Sequence, residues 1–182
     1  MACALACLAA PAWAQQPQPA VVRGQTVEIG GGFAHTDFKA EGWPYVNGFY
    51  GSLGVNVTDW FQAYVEGSAQ YGSIFVGNTR IYGDHIGGRF YYRPWNQMFN
   101  PFAEALVGVS RFDFNQTKPP AKYSQNGFSF KVGGGVDLNI NEHWSVHAID
   151  VDYYRTPFLQ THQNNLWISG GLVFKFGQRE YP

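Results

Sequence analysis

Eight stretches of this sequence alternate large apolar residues with small or polar ones, and that period of two makes the strand, not the helix, the building unit. In "VEIGGGFAH" Val27, Ile29 and Phe33 alternate with Glu28, Gly30, Gly32 and Ala34. In "FQAYVEGSAQYG" Phe61, Ala63, Val65, Ala69 and Tyr71 stand opposite Gln62, Tyr64, Glu66, Ser68 and Gln70. The pattern returns in residues 47–60, 85–93, 101–112, 128–140, 145–155 and 165–176. No apolar run after residue 14 is long enough for a membrane helix, which needs about 20 residues. Short turns ("TDW", "PWNQM", "NEH") follow the second, fourth and sixth strands, and longer polar segments follow the others. An even-stranded meander with this asymmetry predicts an all-β fold, an eight-stranded antiparallel up-and-down transmembrane barrel. Closure is required there, because an open sheet edge in lipid leaves backbone groups unpaired.

A soluble, lipocalin-like barrel turns its apolar face inward and its charges to water, whereas a membrane barrel does the opposite. The polar face here is rich in Gly and Ser rather than dense in Lys and Glu, and only 14% of the chain is charged, against about 25% in ordinary domains. Aromatic residues, 18% of the chain, collect near strand ends as interfacial girdles do. Trp60, Phe61, Tyr91, Tyr92, Trp95, Phe99, Phe102, Trp144 and Phe176 fall on the short-turn side, and Tyr45, Tyr71, Tyr82 and Tyr153 fall toward the loops. Both observations place the apolar face in lipid.

Export is written at the front. Residues 1–14 end in Ala12-Trp13-Ala14 after a short apolar run, the form of a signal peptide, and they hold the only two cysteines, Cys3 and Cys7. The expected organisation is signal peptide 1–14, spacer 15–24, barrel 25–177 and tail 178–182. The exported chain then carries no disulfide.

The inner face brings both signs of charge together: Glu66, Glu104, Asp137, Asp150 and Asp152 against Arg89, Lys131 and Lys175. Eight strands enclose a space that side chains just fill, and an unpaired charge in it is costly. These residues are therefore expected to form a lumen charge network, with Glu66, Arg89, Glu104 and Lys131 as its central pairs and Lys175, Asp137 and Asp152 in others. Leu106, Val146 and Trp167 are apolar residues on the same nominal face, the one hint of an apolar path. The longest polar segment, Asp113 to Asn126, is the expected place for a partner to dock. The net charge of −1 gives no support to nucleic acid binding. No cofactor loop and no metal-ligand spacing is present. "HWS" sets His143 and Ser145 two apart, the spacing of a base and nucleophile on one strand face, but at the short-turn end. No catalytic residue is assigned.

The C-terminal Ser169-x-Gly171-x-x-Phe174-x-Phe176 resembles the outer-membrane insertion signal read by the barrel assembly machinery. The whole exported chain, with its "VDYYRT" to "NNLWISGGLVFKFG" ending, resembles the eight-stranded OmpA/OmpX-like family of outer-membrane barrels, although Gly177 to Pro182 continue past the aromatic on which that family often ends. The resemblance implies a monomer in the outer membrane of a Gram-negative-type bacterium, in contact with outer-membrane lipid and lipopolysaccharide, without cofactor, and structural or surface-interacting rather than enzymatic. An OmpW-like small-solute channel and a lipid A deacylase-like hydrolase are the alternatives that the same resemblance offers. Intact-mass measurement on protein recovered from membranes is expected to place the first residue at Gln15; retention of Met1 contradicts the export signal.

Overall fold

The computed structural model describes residues 26–38, 45–74, 77–92, 98–116, 120–158 and 161–177; the expected signal peptide, spacer and tail lie outside these. Eight strands follow one another: β1 (Val27–Phe38), β2 (Tyr45–Asn56), β3 (Phe61–Ile74), β4 (Gly77–Tyr91), β5 (Phe99–Gln116), β6 (Ala121–Asn139), β7 (Trp144–Phe158) and β8 (Thr161–Phe176). Each pairs antiparallel with its neighbours, and β8 returns to β1, from Val27 opposite Phe176 to Phe38 opposite Asn165. The sheet therefore has no free edge, as a lipid environment demands.

Local chemistry sets the turns at one end. After β2, the Thr58 hydroxyl accepts a hydrogen bond from the Phe61 amide at 3.0 Å. After β6, the Asn141 side-chain oxygen accepts from the amides of His143 and Trp144 at 2.9 and 2.8 Å, an Asx turn that reverses the chain within a few residues. At the other end the strands run further than the polar composition suggests. β5 and β6 continue to Gln116 and Ala121, so most of Asp113 to Asn126 is paired strand, not loop. β3 likewise reaches Ile74, β4 starts at Gly77, β7 ends at Phe158 and β8 starts at Thr161. Polarity misled here because cross-strand pairing, not hydrophobicity, decides where a ladder stops. Phe112 and Phe114 still alternate inward against Arg111 and Asp113, which keeps the pair in register.

The faces are sorted as the alternation predicts. Phe33, Phe49, Leu53, Val65, Ile86, Phe90, Val107, Val109, Phe128, Val132, Ile149, Leu166 and Leu172 are exposed on the outside. Trp60, Tyr92, Phe99, Trp144 and Phe176 ring the turn end of this belt, and Tyr45, Tyr71 and Tyr153 the other. Tyr91 and Phe102, expected in the girdle, instead point inward and are buried, since they share strand phase with Arg89 and Glu104; Trp95 lies outside the described residues. Arg80, Arg111 and Arg155 face outward, but beyond the apolar belt on the loop side. Within the belt Asp84 is the polar exception, opposite Gly67 and Val109.

β7 breaks the alternation once. The β7–β8 register shifts between His147 and Asp150, a β-bulge that adds a residue to one strand. Ser145 and His147 therefore share the inner face with Asp150, and Val146 lies between its partners Leu138 and Leu172 on the outer one. Val146 is thus not a lumen residue, because the bulge reverses the phase on its turn-side flank.

The assignment has a simple test. Val107→Arg puts a cation in the middle of the apolar belt and is expected to lower the folding free energy in lipid vesicles by roughly 2–4 kcal/mol. An unchanged urea midpoint contradicts the outward orientation of β5.

Candidate functional site: a charged and aromatic lumen

Every residue of the expected charge network, Glu66, Arg89, Glu104, Lys131, Asp137, Asp150, Asp152 and Lys175, points inward and is buried. The network is layered along the barrel. Nearest the turns, the Asn56 amide donates to Glu28 at 2.7 Å, Lys175 stands opposite Glu28 across the β1–β8 seam, and its ammonium donates to Asn139 at 2.5 Å. One step deeper, Asp137 accepts from the Tyr91 hydroxyl at 2.9 Å and meets His147 Nδ1 at 2.6 Å.

The middle layer centres on Arg89. Its Nε donates to Glu104, and its guanidinium lies 3.6 Å from the ring centroid of Tyr64 and 4.5 Å from that of Phe102. Asp150 is 3.8 Å from Arg89 Nη2 and 3.6 Å from His147 Nε2. A planar cation between two π faces is held in position by packing as well as by charge. Above it, the Lys131 ammonium donates to Glu66 at 2.5 Å and lies 3.1 Å from the Trp167 ring centroid. Trp167 packs in turn on Tyr154. Tyr154, Ser110, Ser129 and His85 then form a hydrogen-bonded chain with links of 2.7, 2.7 and 2.9 Å.

The loop end closes with apolar side chains. Phe38, Val46, Ile81 and Phe112 form a fully buried cluster, with Phe114 packed against it. Thr36 donates to Gln70 at 3.0 Å just inside it. Beyond the cluster, on the extended β5–β6 ladder, Arg111 Nε forks onto both oxygens of Asp113 at 3.1 Å. Partial burial opposes ionisation of Asp113, but hydrogen bonds from Ser124 and Arg111 and the charges of Arg111 and Arg80 outweigh it and hold the carboxyl below its usual range.

Two expectations change. Asp152 was expected in an ion pair, yet neither of its oxygens has a hydrogen-bond partner among the described residues. The three Lys and Arg heads of the lumen turn instead to Glu104, Glu66 and Asn139. His147 was not foreseen in the network at all, because strict alternation from Asp150 places it outside; only the bulge brings it in. His143 and Ser145 do not form a catalytic pair. The His143 ring stacks on outward-facing Phe174, while the Ser145 hydroxyl is buried in the lumen and donates to Asn139 at 2.7 Å. On β8, Ser169 and Gly171 line the lumen side, and Phe174 and Phe176 pack together outside at a centroid distance of 4.7 Å.

A family profile described as the outer membrane protein beta-barrel domain matches residues 1–176. Comparison with curated protein sequences returns no match. Among solved structures, the fold is similar to Ail, the attachment invasion locus protein of Yersinia pestis, at 16% identity and TM-score 0.58 over 84% of this chain and 99% of that one. It is similar to Neisserial surface protein A at 13% identity and TM-score 0.62, over 84% and 97% of the two chains. It is also similar to OprG from Pseudomonas aeruginosa at 13% identity and TM-score 0.58, over 86% and 98%.

Removing one member of the central pair tests the network. Arg89→Met strands buried Glu104 and Asp150 and is expected to cost about 3–5 kcal/mol in detergent unfolding. Pairing it with Glu104→Met is expected to restore much of that loss. Equal stability of Arg89→Met and wild type contradicts a buried pair.

Proposed function

Because the chain belongs to the outer membrane protein beta-barrel family, and is an outer-membrane protein, we propose that it acts through its surface rather than through its lumen: a non-enzymatic, monomeric barrel with a structural or surface-interaction role. The observation that carries this reading is what occupies the interior of the described strands. Ion pairs and aromatic rings occupy the middle, and the Phe38, Val46, Ile81, Phe112 cluster closes the loop end. Leu106 and Trp167, the apolar lumen residues that hinted at a solute path, are fully buried, and Trp167 is taken up by Lys131.

What reaches beyond the membrane is the β5–β6 ladder, with Arg111, Lys122, Tyr123 and Ser124 exposed on it. Its paired backbone holds a contact surface in shape without a long loop to order, which lowers the entropic cost of binding. The outward arginines Arg80, Arg111 and Arg155 suit the anionic head groups of lipopolysaccharide, and the outward Phe174 and Phe176 suit recognition by the assembly machinery. The separation of His143 from Ser145 across the barrel wall supports the non-enzymatic reading.

Proteoliposomes carrying the refolded barrel are expected not to swell in a small sugar and to show no steady conductance in planar bilayers. Swelling at the rate of a known open barrel sinks the closed-lumen reading and favours the small-solute channel.

A further inference from the structure

Two strands apart, three carboxylates meet. Glu104 on β5 and Asp152 on β7 both stand opposite Gly133 of β6, and Asp150 stands opposite the next inward glycine, Gly135. A side chain at Gly133 meets Asp152 itself; the glycines leave the room that the carboxylates occupy. One oxygen from each of Glu104, Asp150 and Asp152 lies within 4.8 Å of the others, and all three residues are buried.

The donors present do not satisfy this group. Glu104 Oε2 has Arg89, but Glu104 Oε1 and both oxygens of Asp150 have no hydrogen-bond partner. Asp152 is the decisive residue: it is 0% exposed, aimed into the cluster, and neither oxygen has a partner. Asp150 Oδ2 has only long contacts, 3.8 Å to Arg89 Nη2 and 3.6 Å to His147 Nε2, and the firm bonds of the cations nearby go elsewhere. Lys131 gives its ammonium to Glu66 and the Trp167 face, His147 gives Nδ1 to Asp137, and Lys175 lies at the turn end with Glu28 and Asn139. Along the lumen the buried carboxylates Glu28, Glu66, Glu104, Asp137, Asp150 and Asp152 outnumber the buried Lys and Arg residues Arg89, Lys131 and Lys175 by two to one. Carboxylate oxygens buried without a partner are strongly unfavourable, so a further positive charge is called for at this place.

We propose that Glu104, Asp150 and Asp152 hold one divalent cation, taken up as the barrel closes, which ties β5 to β7 over the inward glycines of β6. Oxygen-only donors select a hard ion such as Ca²⁺, Mg²⁺ or Mn²⁺ over zinc or copper. The spacing is compatible with one shared ion: two oxygens on the same Ca²⁺ are at most roughly 4.6–5.2 Å apart, twice the usual Ca–O distance, and these three lie within 4.8 Å of one another. The site goes beyond the surface role proposed above and is independent of it, since a closed barrel can hold the ion whatever its exterior contacts.

The test uses Mn²⁺ as the probe. The barrel is refolded in detergent with Mn²⁺ or with EDTA, passed through gel filtration in metal-free buffer, and assayed for metal by mass spectrometry and for its thermal midpoint. The expected result is one retained Mn²⁺ per wild-type chain, with a midpoint above that of the EDTA-refolded protein, and loss of both in Asp152→Asn. Wild type that retains no Mn²⁺ and melts identically under both conditions overturns the proposal and leaves shared protons as the neutralising charge. Retention by folded Asp152→Asn at the wild-type level overturns it equally, since the metal is then bound elsewhere. Should Asp152→Asn fail to refold, the wild-type metal content decides alone, with Asp150→Asn as the second variant.

Discussion

Everything in this molecule depends on the closure of its backbone hydrogen bonds, the seam of β8 against β1 from Phe176–Val27 to Asn165–Phe38. In hydrocarbon an unpaired amide or carbonyl costs several kcal/mol, so a sheet that enters a membrane must close. Closing it on eight strands fixes the size of the interior, and the size decides what the inward residues are. There is room for side chains and little else. Outside, the same alternation has to be apolar, with aromatics where lipid meets water.

The narrow lumen turns charge into a packing problem. Arg89 lies between Tyr64 and Phe102 and Lys131 against Trp167, so each cation has a carboxylate on one side and an aromatic face on another. Such pairs cost desolvation and gain specificity of position; replacing either partner alone leaves a buried charge unpaired. The apolar cluster beyond them lies on the loop side of this charged column. A barrel filled in this way has its outer surface and its protruding ladder left for contact with other molecules.

Much of this was legible in the residues. Period-two alternation is local, so strand number, the inner and outer faces of β1 to β6 and the eight network charges could be read from side-chain character. What could not be read was non-local. The bulge between His147 and Asp150 depends on how β7 sits against β8, and it brings His147 into the lumen and sends Val146 out. The lengths of β5 and β6 depend on pairing between Asp113–Gln116 and Ala121–Ser124, where polar composition suggested a loop. Tyr91 and Phe102 were placed by their chemistry near the interface, whereas their strand phase puts them around Arg89 and His147. The convergence of Glu104 with Asp150 and Asp152 needs β5, β6 and β7 in register, a relation that no spacing along the chain contains.

The central claim, apolar residues to lipid and charges to a sealed interior, is tested most directly by nitroxide scanning along β5. The only native cysteines, Cys3 and Cys7, precede the barrel, so single cysteines can be placed at residues 103 to 109 without interference. In lipid vesicles the account predicts high oxygen collision rates at 103, 105, 107 and 109, low rates at 104, 106 and 108, and little access for a water-soluble relaxant at any of them. Strong relaxation of the even positions by the water-soluble reagent contradicts it, since the charged face then meets water and the apolar face is the inside of a soluble barrel.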